Sequence, residues 1–234
     1  MLPYYMIHFD KVRNISVAKT GSANFLHCKY DQTCDVEHGH SLSRLKEILV
    51  NEQNALIITG IRNPIDRNLS YFFQTCQDDF YNDVKTVHNN YKGEYCYVPE
   101  MVQCTSPLDA IDLYFKQENH DTLNQWFDEF LHITKIKEFD QEKGVSFYTL
   151  SNNNTLLVYT LEKLEKNYEF ICDMLGIKDL KNRNMRINDL YKSVKNTIIY
   201  TRDYLNKQLD TPIMRLFYGE NQIKEMYDKY RTYD

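Results

Sequence analysis

The sequence predicts an α/β fold, a P-loop-like central parallel sheet flanked by helices with a helical C-terminal third, and three observations carry it. Ala55–Ile61, ALIITGI, is apolar almost throughout, the pattern of a strand buried on both faces of a parallel sheet. Two apolar runs stop at polar turns that lead straight into helical patterns, one at Lys19-Thr20-Gly21-Ser22 and one at Arg62-Asn63-Pro64. Strands then alternate with helices, and the last third of the chain reads as helices alone.

Length and charge set the outer bounds. A chain of 234 residues, 42% hydrophobic, buries one sizeable core, so a single domain over 1–234 is expected. A net charge of −5 and a pI near 5.8 leave no global basic footprint, which argues against a nucleic-acid partner and means that any anionic ligand is met locally. The stretch Met1–Asp10 is too short and polar for a signal peptide, and no segment approaches the roughly 18 apolar residues that span a bilayer. A cytoplasmic location is therefore expected. Cys28, Cys34, Cys76, Cys96, Cys104 and Cys172 show no C-x-x-C spacing, which favours reduced thiols over a zinc site, with a Cys96–Cys104 bridge as the exception.

In chain order, Tyr4–Phe9 reads as an edge strand or an ordered arm, Ile15–Ala18 as the first core strand and Ala23–Tyr30 as a helix. Asp31–His40 reads as a polar connection, and Ser41–Val50 as a helix capped by Ser41, with Leu42, Leu45, Ile48 and Leu49 at helical spacing. After Ala55–Ile61, the stripe Ile65, Leu69, Phe72, Phe73 and Cys76 predicts a helix to about Gln77. Asp78–Ser106 is aperiodic and reads as a long loop or lid. Pro107–Lys116 and Thr122–His132 read as helices, and Val145–Leu150 and Thr155–Thr160 as strands joined by the Asn152-Asn153-Asn154 turn. Glu162–Leu175 is amphipathic and ends at Gly176, and Leu190–Leu209, Thr211–Phe217 and Asn221–Tyr230 complete the helical part, 188–234.

A strand that ends in Lys19, Thr20, Gly21 and Ser22 aims backbone N–H groups, two hydroxyls and an ammonium at one spot, which suits a phosphate. The lysine precedes the glycine, so this is not a Walker A loop. An ordinary turn with Ser22 as N-cap is the alternative. At the second junction Arg62 supplies a planar fork for phosphate oxygens, and Ser70 follows eight residues later. The alternative there is a helix start carrying a surface Asp66–Arg67 pair.

Together the two junctions resemble the cofactor signature of sulfotransferases that use 3′-phosphoadenosine 5′-phosphosulfate, in which the first loop holds the 5′-phosphosulfate and an Arg and a Ser hold the 3′-phosphate. Glu37-His38-Gly39-His40 resembles the H-G-H of heparan-type uronosyl 2-O-sulfotransferases, and Asn124-Gln125-Trp126-Phe127 is similar to the N-K-W-Y-S pattern of bacterial capsular polysaccharide synthesis proteins. The run Leu156–Leu164 with Leu175-Gly176-Ile177 resembles a late strand and helix of bacterial sulfotransferases. The chain departs at Ala23, where a Ser or Thr is common, at Gln125 and Phe127, and in a shorter interval between Lys19 and His40.

The resemblance implies sulfuryl transfer to a hydroxyl of a carbohydrate or glycolipid acceptor, without a metal. It assigns His40 as base and His38 as helper, with Lys19 on the leaving oxygen. Lys19, Thr20, Gly21, Ser22, Ala23 and Asn24 would line the 5′-phosphate, Arg62 and Ser70 the 3′-phosphate, with Arg183 and Arg186 as a returning basic loop or else a solvated cluster. Trp126 is a sugar platform or core. A nucleotide kinase or NTPase shares the strand-loop-helix but needs a lysine after the loop and an acidic metal partner. A non-catalytic glycan-binding protein on the same scaffold would lack the base.

Overall fold

A computed structural model describes residues 6–17, 20–21, 23–75, 115, 122–181 and 197–233. Its centre is a five-stranded sheet in the order β3-β1-β4-β6-β5. The strands are β1 (Lys11–Ile15), β3 (Asp35–Gly39), β4 (Ala55–Ile61), β5 (Val145–Thr149) and β6 (Thr155–Thr160). β1, β3, β4 and β6 run parallel, and β5 pairs antiparallel with β6.

Strand alternation sends neighbouring residues to opposite faces. On one face Ile15, Ile57, Ile61, Leu156 and Val158 pack under α2 (Leu42–Asn51), α3 (Pro64–Thr75) and α4 (Thr122–Thr134). The same core takes in α7 (Arg202–Leu209), α8 (Pro212–Phe217) and α9 (Gly219–Lys229) through Leu205, Met214, Phe217 and Ile223. On the other face Val12, Leu56, Ile58, Leu157 and Tyr159 pack against α1 (Ala23–Leu26), α5 (Leu161–Leu164) and α6 (Tyr168–Leu175). All seven residues of β4 are buried, as its apolar run requires. The short ribbons β2 (Lys29–Tyr30) with β7 (Ile177–Lys178), and β8 (Ile199–Thr201) with β9 (Arg231–Tyr233), lie outside the main sheet.

Several expectations are corrected. The first strand is Lys11–Ile15, not Ile15–Ala18, because charged Arg13 is accommodated inside it: the residue is 3% exposed, and its guanidinium donates to Glu52 Oε2 at 2.9 Å and Asp35 Oδ2 at 2.9 Å. Asp31–His40 contains the edge strand β3, held to α2 where Arg44 clasps both oxygens of Glu37 at 2.7 and 2.6 Å. The helix at Ala23 ends at Leu26, since Lys29–Tyr30 is drawn into β2. Ser41 stands at the N-cap of α2 but makes no side-chain cap bond, its hydroxyl meeting that of Ser43. Ile199–Thr201 is strand rather than helix, and α7 starts at Arg202, where Thr201 Oγ1 accepts from Tyr204 N–H at 3.0 Å.

Glu162–Leu175 is broken by a 3-10 turn at Glu165–Asn167 into α5 and α6, and α6 stops at Gly176 with φ +58°. Met6–Phe9 is an arm rather than a strand, pinned by Ile7 N–H on the Met174 carbonyl at 2.9 Å. The expected loop Asp78–Ser106 and the expected helix Pro107–Lys116, apart from Phe115, lie outside the described residues, as do Cys76, Cys96 and Cys104. Cys28, Cys34 and Cys172 are thiols outside any disulfide, Cys28 Sγ donating to the Asn24 carbonyl.

Candidate functional site

Chain order and strand order part company at β1, whose neighbours β3 and β4 follow it by separate crossovers. Open α/β sheets bind ligands beyond the carboxyl ends of their strands at such a switch point. Four junctions line that edge in a row: residues after β3 (His40), after β1 (Thr20 and Gly21), after β4 (Arg62) and after β6 (Glu162). With neighbouring strands about 4.8 Å apart, β3 and β4, which carry His40 and Arg62 just past their ends, lie about 10 Å apart on either side of β1.

The turn after β1 is locked from below. Thr20 is fully buried, its hydroxyl donates to the Val17 carbonyl at 2.7 Å, and its own carbonyl accepts from the Tyr159 hydroxyl at 3.2 Å. Gly60 makes this approach feasible: a Cβ there would lie 2.4 Å from the Thr20 oxygen and 2.6 Å from the Tyr159 hydroxyl. Gly21 takes φ +84°, where a Cβ would also strike Leu161 at 2.5 Å. Asn24, the second residue of α1, is buried, its N–H on the Gly21 carbonyl at 3.0 Å. With Thr20 and Asn24 turned inward, backbone is what those two positions can offer a ligand. Ala23 begins α1. Lys19 and Ser22 lie outside the described residues, as do Arg183 and Arg186.

His38 and His40 are brought side by side at the end of β3, rings 4.7 Å apart and perpendicular. His40 Nδ1 meets the Ser16 carbonyl at 2.5 Å. A carbonyl only accepts, so Nδ1 carries the proton and the neutral ring keeps its lone pair on Nε2. That is the tautomer of a general base oriented by backbone. Partial desolvation and the adjacent His40 hold His38 below the ordinary imidazole value. Trp126 is neither pure core nor free: half-buried, stacked on Phe130, it donates Nε1–H to the His40 carbonyl at 3.0 Å.

At the second junction Asn63 caps α3, its Oδ1 accepting from Ile65 N–H at 2.9 Å, with Pro64 in the first helical position. Arg62 and Ser70 are half-buried. Asp66 and Arg67 do not form the surface pair considered above: both are buried, Asp66 receives Lys229 Nζ at 2.6 Å, and Arg67 donates to Asn68 and lies over Tyr71.

Glu162 was not legible as a site residue, because in sequence it only opens a helix. Its Oε1 accepts from Asn63 N–H and its Oε2 from the Tyr218 hydroxyl, both at 2.8 Å. The residue retains exposed surface, while desolvation of its carboxyl group raises its pKa against the opposing pull of Asn63, Tyr218 and Arg62.

Among the described residues, no group of three or more His, Cys, Asp or Glu side chains is placed to share a metal ion, and no helix is long and apolar enough to cross a membrane. In comparisons with known proteins, the chain matches no protein-family model, no curated protein and no solved structure.

Proposed function

We propose that this chain is a sulfotransferase that moves a sulfuryl group from 3′-phosphoadenosine 5′-phosphosulfate to a hydroxyl of a carbohydrate or glycolipid, of the kind found in bacterial surface polysaccharides. The observation that carries the reading is the His40 ring, oriented by the Ser16 carbonyl with Nε2 as its basic nitrogen, at the end of the strand beside the Thr20–Gly21 turn. In this reading the sheet edge is P-loop-like and the helices of the C-terminal third close one side of it.

The residues present fit a bisphosphorylated nucleotide at two points. Arg62, at a strand end with the capped N-terminus of α3 beside it, suits a terminal phosphate, and Ser70 lies on the same helix. The Gly21 turn, opening α1, suits the other. When bound, the cofactor supplies an activated sulfuryl group on a good leaving group. Arg62 and Ser70 hold the 3′-phosphate, and the backbone from Thr20 to Asn24 holds the 5′ end, with Lys19 and Ser22 assigned from sequence. Sulfuryl transfer, like phosphoryl transfer, asks the protein mainly to position groups and neutralise charge. His40 accepts the acceptor's proton at Nε2, and His38, kept neutral by its surroundings, contacts the acceptor.

Calorimetric titration with adenosine 3′,5′-bisphosphate tests this directly, with ATP and 5′-AMP as controls. Binding that requires the 3′-phosphate and is lost in Arg62→Ala supports it; preference for ATP favours a kinase-like enzyme and overturns it.

A further inference from the structure

We propose that Glu162 is a positioning residue of the Arg62 anion site: it is that arginine's resident counter-charge, and it takes up a proton when a ligand phosphate arrives. This role rests on the sulfuryl-donor reading above.

The geometry is that of a joint. Glu162 is the second residue of α5, where β6 ends beside β4, and its two oxygens bind Asn63 N–H and the Tyr218 hydroxyl, each at 2.8 Å. Asn63 follows Arg62 directly and caps α3, so the carboxylate holds the peptide that carries the arginine. Tyr218 lies between α8 and α9, so the same group ties the C-terminal helices to the junction. The Gly21 turn abuts the preceding residue, Leu161, so α5 begins beside both junctions.

Among the described residues the charges around it are few. From the end of β4 comes Arg62, the cation among the described residues whose charge bears on Glu162. From α3 comes Asp66, already matched by Lys229 of α9. On α5 itself, Lys163 spends its ammonium on the carbonyls of Gln141 and Glu142. Tyr218 stays a neutral donor, since burial, and then Glu162 itself, push its ionisation well above the ordinary phenol value.

A phosphate brought to Arg62 would meet this carboxylate as a like charge, and two anions sharing one site favour protonation of one of them. Desolvation of the Glu162 carboxyl already leans toward the neutral acid. The step balances simply: a proton from solvent joins Oε2, which turns from acceptor to donor toward the Tyr218 oxygen, while Oε1 keeps Asn63 N–H. Protonation removes the like charge that the arriving phosphate would otherwise face beside Arg62.

Glu162→Gln reproduces the neutral acid, with an oxygen for Asn63 and an N–H for Tyr218. Calorimetry of adenosine 3′,5′-bisphosphate binding, run at several pH values in buffers of different protonation heat, counts the protons taken up by the wild-type chain and by this variant. The phosphate's own second ionisation, about 6, contributes equally to both. The wild type is expected to take up as much as one proton more. Its affinity is expected to fall more steeply with pH, by up to about tenfold per unit, so that Glu162→Gln binds tighter at pH 8.

Carboxyl ¹³C NMR of the wild type reads the same event without the substitution: one glutamate resonance shifts to the neutral-acid position when ligand is added. Equal proton uptake and parallel pH profiles, or no shifted resonance on a saturated sample, overturn the role of Glu162 while leaving the nucleotide site standing. Absence of binding by both proteins at every pH overturns the nucleotide site, and this role with it.

Discussion

His40 Nδ1 and the Ser16 carbonyl form a hydrogen bond that ties the end of β3 to the end of β1, so one ring both fastens two strands and presents a basic Nε2. General-base catalysis contributes about 10²–10⁴-fold. His40→Ala is therefore expected to cut turnover by that order while leaving the affinity for adenosine 3′,5′-bisphosphate within about twofold. Assays of sulfuryl transfer beside calorimetry separate the two effects, and unchanged turnover would remove His40 as the base.

Trp126, the sole tryptophan, reports on the same place because its N–H sits on the His40 carbonyl. Ligand binding at the edge is expected to change its fluorescence. Trp126→Phe keeps an aromatic ring on Phe130 and loses one hydrogen bond, for a cost of about 0.5–1.5 kcal/mol in chemical denaturation. A loss of several kcal/mol would mean that packing, not the bond to His40, is what the indole contributes.

Gly60 is the point where the first turn leans on the sheet. With 2.4 Å between an added Cβ and the Thr20 carbonyl oxygen, Gly60→Ala must displace backbone, at about 1–3 kcal/mol. Nucleotide affinity is expected to fall as well, because the displaced atoms belong to the turn itself. A thermal melt and a binding isotherm on the same sample check both parts.

Glu52 joins two arginines, taking Arg13 Nε at 2.9 Å and Arg44 Nη2 at 2.7 Å. Glu52→Ala leaves the buried Arg13 short of a partner and is expected to cost about 3–5 kcal/mol, read from urea midpoints. The neighbouring Glu37 gives a pH signature. Hydrogen bonding from Arg44 holds its carboxyl below the usual range, so the folded chain binds that proton less readily than the unfolded one. The stability it adds is full above the unfolded value, about 4.3, and is lost as pH falls through the lower folded value. Glu37→Gln should flatten that part of the acid-unfolding curve; an unaltered curve would mean the pair adds nothing.

What the sequence made legible follows from how each element is stabilised. Ala55–Ile61 and the α2 stripe announce themselves because their apolar residues meet nothing but core. β3 does not: DVEHG is a polar edge strand whose pairing depends on Arg13 and Arg44, residues distant in sequence. The same ion network hid the true extent of β1. At the site, Gly21 and Arg62 could be named from strand-to-turn patterns, and the paired histidines from the resemblance carried by Glu37-His38-Gly39-His40. Glu162 could not, since its partners Asn63 and Tyr218 are brought to it only by the β4–β6 pairing and the packing of the C-terminal helices.

The central claim is that the carboxyl edge of the sheet is a site for a 3′-phosphorylated adenine nucleotide. The most direct measurement is calorimetric titration of the folded protein with adenosine 3′,5′-bisphosphate, with 5′-AMP and ATP alongside. The account predicts binding that 5′-AMP does not reproduce and that Arg62→Ala abolishes without loss of fold. Tighter binding of ATP, or no binding by folded protein, would contradict it.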